Sequence, residues 1–234
     1  MKRSNQNISI IIPVLNEEKC LRDILKHLNS SISSSHVEEI ICIDGGSTDN
    51  TIEIAKSCGA IVIPSKRGRA KQMNTGAKQA KGSILYFLHA DTLPPHGFDS
   101  IILEAVKKGS QSGCFRMKFD SKNPILRFFA WLSRINHTLC RGGDQSLFIK
   151  KDLFELTKGF DEDYFIYEDT EFIRRLYEQT EFKVLPNYVI TSARKYRDKG
   201  WVKVQLHFRR IHLKSYLGAG PEELYRYYRK NLLT

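Results

Sequence analysis

Over the first ninety positions, short unbroken apolar runs alternate with polar clusters and amphipathic stretches. ISIIIPVL (8–15) is a continuous apolar run rich in β-branched residues and predicts a buried parallel strand. VEEIICID (37–44) and AIVIP (60–64) are a second and a third strand, and SILYFL (83–88), with its apolar run from Ile84 to Leu88, is a fourth, buried one. Between them, Asn16 is expected to cap a helix running to about Asn29, with Glu17 and Glu18 in its first turn, where the helix dipole favours acids. The serine-rich stretch 30–35 is a loop. Two further helices are expected, from about Asp49 to Ser57 and from about Arg69 to Lys81. The order β-α-β-α-β-α-β predicts an α/β fold with a mostly parallel central sheet flanked by helices. Ligands bind beyond the carboxyl ends of such strands. Three polar clusters fall there: Asn16-Glu17, Asp44-Gly45-Gly46 and His89-Ala90-Asp91.

The rhythm changes after about residue 110. SGCFRMKF (112–119) alternates as a half-buried strand does, and NPILRFFAWLSRINHTLC (123–140) reads as one aromatic-rich helix. SLFIK (146–150) is a short strand, and 167–180 a helix opening on Glu168-Asp169. FKVLP and YVITSA follow as two strands.

Composition narrows the class. A chain of 234 residues with 41% hydrophobic content can bury a full core. No tract reaches the length of a membrane span, and MKRSNQNISIIIPVLNEE does not read as a signal peptide, so the cytoplasm is the expected compartment. Five scattered cysteines without a C-x-x-C argue against zinc or a disulfide framework. The net charge of +11 is uneven: positions 194–234 hold eleven Lys and Arg against three acids. A local basic segment points to an anionic partner.

Each candidate cluster has a bland reading beside its chemical one. Ser47, Thr48 and Asp49 suit a capped turn, whereas Asp44, delivered to the rim by its strand, could hold a ribose or a base edge. Arg67 and Arg69 before a helix suit a solvated turn or a diphosphate. Asp91 before Thr-x-Pro is ordinary turn chemistry. With two phosphate oxygens, though, it could hold Mn2+ or Mg2+. His89 points the same way as Asp91 on an extended chain, and either ligates that cation or donates to a neighbouring group. Glu168 and Asp169 are dipole-favoured at a helix start, and a carboxylate there could also take a hydroxyl proton.

Jointly, SIIIPVLNEE, IDGGSTDNT, R-x-x-x-x-N-x-G (Arg69, Asn74, Gly76), the motif at 89–91 and the late Glu-Asp pair resemble the family 2 glycosyltransferases of the inverting GT-A type. The likeness runs from about Ile8 to Ala193. R-G-R-A-x-Q-M-N, FLHADT, GDQ-x-LF and TSAR are similar to the small members found with radical-SAM and selenium-related proteins. The resemblance implies a nucleotide-sugar-binding half (1–110), an acceptor and catalytic half (111–193) and a basic amphipathic C-terminal segment (194–234). It assigns Pro13, Leu15, Glu17, Asp44, Arg67, Arg69 and Ala90 to the nucleotide, the two arginines at its diphosphate. Asp91, with His89, goes to a divalent cation, Mn2+ or Mg2+. Gly143, Asp144, Gln145 and Glu168 go to sugar and acceptor, and Asp169 is the general base. His89 departs from the family's usual D-x-D. The implied partners are a nucleotide-diphosphate sugar, with UDP as the base carrier, and a hydroxylated, lipid-like acceptor.

The segment WVKVQLHFRRIHLKSYL (201–217) either lies on an anionic membrane, joined there by 123–140, or packs on the core as a helix. The competing readings of the whole chain are a non-catalytic nucleotide-sugar binder and a basic nucleic-acid-binding protein. The second leaves Asp44, Asp91 and Asp169 without a use, so no nucleic acid is expected.

Overall fold

Four parallel strands build the first half of the sheet: β1 (Ile8–Val14), β2 (Val37–Asp44), β3 (Ile61–Pro64) and β4 (Ile84–Phe87), joined by α1 (Leu21–Ser31), α2 (Thr51–Ser57) and α3 (Arg69–Gln79). The computed structural model describes residues 6–233; positions 1–5 of the N-terminal stretch and position 234 of the basic segment lie outside it. Successive residues of β1 explain the unbroken apolar run. Ile10 and Ile12 enter one cluster with Leu25 of α1 and Ile54 of α2, while Ile11 enters another with Met73 and Ala77 of α3. Gly76 lets α3 settle on the strands: a Cβ there would lie 2.5 Å from Ile11 Cγ2.

The chain then makes β5 (Thr92–Leu93), α4 (Phe98–Lys107), β6 (Ser112–Phe119), α5 (Pro124–Leu132), β7 (Leu147–Lys150), α6 (Lys151–Leu156), α7 (Glu168–Gln179) and β8 (Phe182–Thr191). The eight-stranded order is β3-β2-β1-β4-β7-β6-β8-β5, with β7 antiparallel to both β4 and β6. α8 (Arg194–Lys199), α9 (Trp201–Tyr216) and α10 (Pro221–Tyr228) close the chain.

Three expectations differ in detail. α1 begins at Leu21, because Asn16 adopts a left-handed φ of 55° and its side chain accepts from Thr48 N instead of capping a helix. The 123–140 segment is not one helix. α5 stops at Leu132, and only a single 3-10 turn, Thr138–Cys140, follows. Ser133 Oγ turns back to Ala130 O and receives Met117 N, while buried Arg141 takes the carbonyls of Ser133 and Ile135. FKVLP and YVITSA form one strand, whose pairing with β6 shifts at Pro186-Asn187, where proline has no N–H to offer.

The basic segment forms a third apolar cluster. Val204, Ile211, Leu224 and Leu232 pack with Ile166, Tyr167 and Phe208. No helix among the described residues is long and apolar enough to cross a membrane.

Candidate active site

The chain winds outward through β1, β2 and β3, then returns to place β4 on the other side of β1. A crevice is expected where the winding reverses, at the carboxyl ends of β1 and β4. A cavity of about 530 Å³ lies there. Pro13, Leu15 and Glu17 line it from the end of β1; His89, Ala90 and Asp91 from the end of β4; Arg67 and Arg69 from the start of α3. A second cavity, of about 360 Å³, shares Arg69, His89 and Asp91 and adds Gly143, Asp144, Gln145, Glu168 and Asp169. The residues predicted from two distant halves of the chain therefore meet at His89 and Asp91.

Asp44 lies elsewhere. It pairs in register with Val14, which lines the first cavity, but Asp44 lines neither cavity. Its buried carboxylate accepts Gly46 N at 3.0 Å and Ser47 N at 3.1 Å. The turn reading thus accounts for Asp44 as well as for Ser-Thr-Asp. Beneath it, buried Gln72 donates to Val14 O and Ile43 O, tying the ends of β1 and β2 together at the cavity floor.

Both ring nitrogens of His89 face carboxylates. Nε2 lies 3.3 Å from Asp169 Oδ2 and Nδ1 lies 3.7 Å from Asp144 Oδ1. Burial and the Arg69 charge push the imidazole down, but its hydrogen bonding to the Asp144 and Asp169 carboxylates outweighs them and raises it to about 10. Burial also raises Asp91, against the pull of His89. Glu168 is raised by burial and by Asp169, with Arg69 Nη1 3.7 Å away as a partial offset. Partial desolvation lowers Arg69, whose side chain is 59% exposed, yet Glu168, Asp169, Asp144 and Asp91 together raise it further. At the junction of the cavities, acids crowd around Arg69 and His89. Glu168 Oε1 is buried with no hydrogen-bond partner. Such an atom is costly unless a ligand donates to it.

Local folding sets these positions. Asn74 clamps the segment before α7, donating to Phe160 O and accepting from Phe160 N. Tyr167, left-handed at φ 72°, turns the chain so that α7 starts on Glu168-Asp169. The Gly143 turn is held by Arg141, which donates to Gln145 Oε1. Replacing Arg141 with Met is expected to cost about 3 kcal/mol in denaturant unfolding, since several buried acceptors lose their donor. Gly143 leaves the space this pair occupies: a Cβ there would overlap Asp169 Oδ2 and lie 2.6 Å from His89 Cε1, so the pair would have to shift. Gly143→Ala is expected to displace that pair, which a structure of the variant would show.

Several wall residues carry no local signal in the sequence. Phe165, Ile166, Tyr225 and Tyr228 line the first cavity, brought there by the packing of α10. Arg194, in the TSAR stretch, also lines it and lies 3.5 Å from Glu17 Oε2.

The profile of the family described as glycosyl transferase family 2 matches residues 9–153. The chain belongs to this family. Within it, glycosyltransferase AglE of Haloferax volcanii is 32% identical over 94 residues, 37% of this chain and 31% of that protein. Glucosyl-3-phosphoglycerate synthase of Mycobacterium tuberculosis is 28% identical over 103 residues, 40% of this chain and 32% of the other. Undecaprenyl-phosphate 4-deoxy-4-formamido-L-arabinose transferase of Pseudomonas fluorescens is 28% identical over 110 residues, 43% and 32%. The chain spans about a third of the length of these curated relatives. Among solved structures, S. aureus TarS superposes with a TM-score of 0.68 at 19% identity, over 80% of this chain and 37% of that one. The M. tuberculosis synthase in complex with Mn2+, UDP and glucosyl-3-phosphoglycerate gives 0.62 at 17%, over 78% and 70%. At such identities the likeness is one of fold, and the fold is GT-A.

Proposed function

We propose that this family 2 member is an inverting glycosyltransferase. It moves a sugar from a nucleotide-diphosphate sugar, a UDP-sugar, to the hydroxyl of a lipid-like acceptor. The observation that carries this reading is the junction of the two cavities, where Asp91 and Arg69 face His89, Glu168 and Asp169 across a shared wall. Solved relatives of the same fold hold UDP-GlcNAc, in TarS, and UDP with Mn2+, in the mycobacterial synthase.

In this assignment the nucleotide occupies the β1 end of the first cavity, against Pro13, Leu15, Glu17 and Ala90. Arg69 and Arg67 meet the diphosphate with guanidinium groups suited to phosphate oxygens. Asp44 supports this end from below through its turn. The acid-lined second cavity takes the acceptor. Asp169 accepts the proton of the acceptor hydroxyl as its oxygen bonds to the anomeric carbon, and the bond from that carbon to the diphosphate breaks on the opposite face. Glu168 Oε1 takes a hydroxyl of the sugar or acceptor, which gives that buried oxygen its missing donor. Gly143, Asp144 and Gln145 shape the wall beside it.

A divalent cation fits the donor set. Among the described residues no three His, Cys, Asp or Glu side chains are grouped to hold a metal. Asp91 is nonetheless a desolvated carboxylate beside the expected diphosphate, and hard cations share ligands with substrate phosphates in this way. When bound, Mn2+ or Mg2+ neutralises charge on the leaving diphosphate. His89, with both nitrogens on carboxylates, orients Asp169 and Asp144 instead of ligating that cation.

The test is release of UDP from a panel of UDP-sugars with and without Mn2+. Cation-dependent release is the expected result. A nucleotide-sugar that binds and is never turned over, with any acceptor alcohol supplied, identifies a non-catalytic binder.

A further inference from the structure

α5 and α9 both wall the acid-lined cavity, through Phe129 and Leu132 on one side and Gln205 and Phe208 on the other. Their outward faces are unusual for a water-soluble surface. On α9, Val204 and Ile211 are buried, while Val202, Leu206 and Leu213 on the opposite face are 48%, 50% and 57% exposed. Helical spacing aligns those three with Arg209 in one stripe. Arg209 lies over the Phe129 ring at 5.3 Å, which joins the stripe to α5. There Phe128 packs on Phe129 and stacks with Trp131, and both Phe128 and Trp131 are half exposed. The result is one apolar surface running across two helices.

The two helices contribute charge of a single sign, and Glu223 of α10, which reaches α9, is paired with Lys214. Neither helix contains an Asp or Glu, while Arg127 on α5 and Lys203, Arg209 and Arg210 on α9 are exposed beside the apolar side chains. Aromatic and aliphatic side chains ringed by cations, with no acid among them, complement an anionic bilayer surface. A second copy of the chain would bring these cations against their own kind.

We propose that the α5–α9 face docks on an anionic lipid bilayer. The acid-lined cavity then opens at the lipid surface, where a membrane-embedded alcohol can reach Asp169. The placement of the acceptor, though not the docking face itself, rests on the functional reading above. The carboxylates of Asp144, Glu168 and Asp169 in that cavity favour a neutral hydroxyl over a phosphate.

Flotation with vesicles of phosphatidylcholine, alone or mixed with phosphatidylglycerol, tests the docking face. The full chain is expected to float with the anionic vesicles at low salt and much less at high salt or with phosphatidylcholine alone. Arg210→Gln should weaken partitioning about fivefold. The double variant Trp131→Glu/Leu213→Glu should abolish flotation while keeping the wild-type Tm and the wild-type rate of UDP release in vesicle-free buffer. A wild-type chain that does not float overturns the proposal, as does a double variant that floats like wild type. So does a dimer in light scattering that the double variant dissolves, without any flotation. Vesicle binding as expected together with no UDP release would refute the transferase reading and leave the docking face standing.

Discussion

Asp169→Asn is expected to lower turnover by about a thousandfold, within the range a general base contributes, while the affinity for UDP with Mn2+ stays near wild type. The split follows from the geometry. Asp169 lines the acceptor cavity and not the β1 end assigned to the nucleotide. Asn keeps the shape and the contact with His89 Nε2 but cannot take a proton. Stopped assays of UDP release, with calorimetric titration of UDP, separate the two quantities. Turnover near wild type would move the base to another carboxylate, and Asp144, on the other nitrogen of His89, is next in reach.

Asp91→Asn is expected to act on both quantities. UDP binding should weaken about a hundredfold in Mn2+ and lose its dependence on the cation, and turnover should fall with it. Asp91 lines both cavities and is a carboxylate that burial makes expensive to ionise without a cation beside it. The amide cannot supply that negative oxygen. Calorimetric titrations of UDP with and without Mn2+, on wild type and variant, give the answer. An Asp91→Asn variant that keeps a cation-dependent UDP affinity would remove Asp91 from the metal site.

The parts of this arrangement that could be read from the chain are those set by local pattern. Apolar runs place β1, β2 and β4, and the strand ends then place Glu17, His89 and Asp91 on one rim. The Glu-Asp start of α7 is likewise written in the sequence. Asp44 shows where the pattern stops short: a strand-end carboxylate followed by two glycines can serve a ligand, its own turn or both, and the bonds from Gly46 N and Ser47 N show it serving the turn. The break after Leu132 was hidden because its cause, the Arg141 guanidinium gathering carbonyls from Ser133 and Ile135, is a contact between residues six to eight apart in a loop. Gln72 stands in the R-G-R-A-x-Q-M-N stretch without its bonds being legible there, and the aromatic wall from Phe165, Tyr225 and Tyr228 depends on tertiary packing and leaves no local trace. For the basic segment, the reading of 201–217 as a helix packed on the core holds for one face. α9 buries Val204 and Ile211 against the protein and presents Leu206 and Leu213 outward.

The most direct test is a crystal structure of the chain grown with UDP and Mn2+, with the cation located by its anomalous signal. The account predicts a manganese peak at the Asp91 carboxylate, the diphosphate beside Arg69, and Asp169 facing the open side of the β-phosphate from the adjoining cavity. A peak remote from Asp91, or UDP bound away from the ends of β1 and β4, would contradict it.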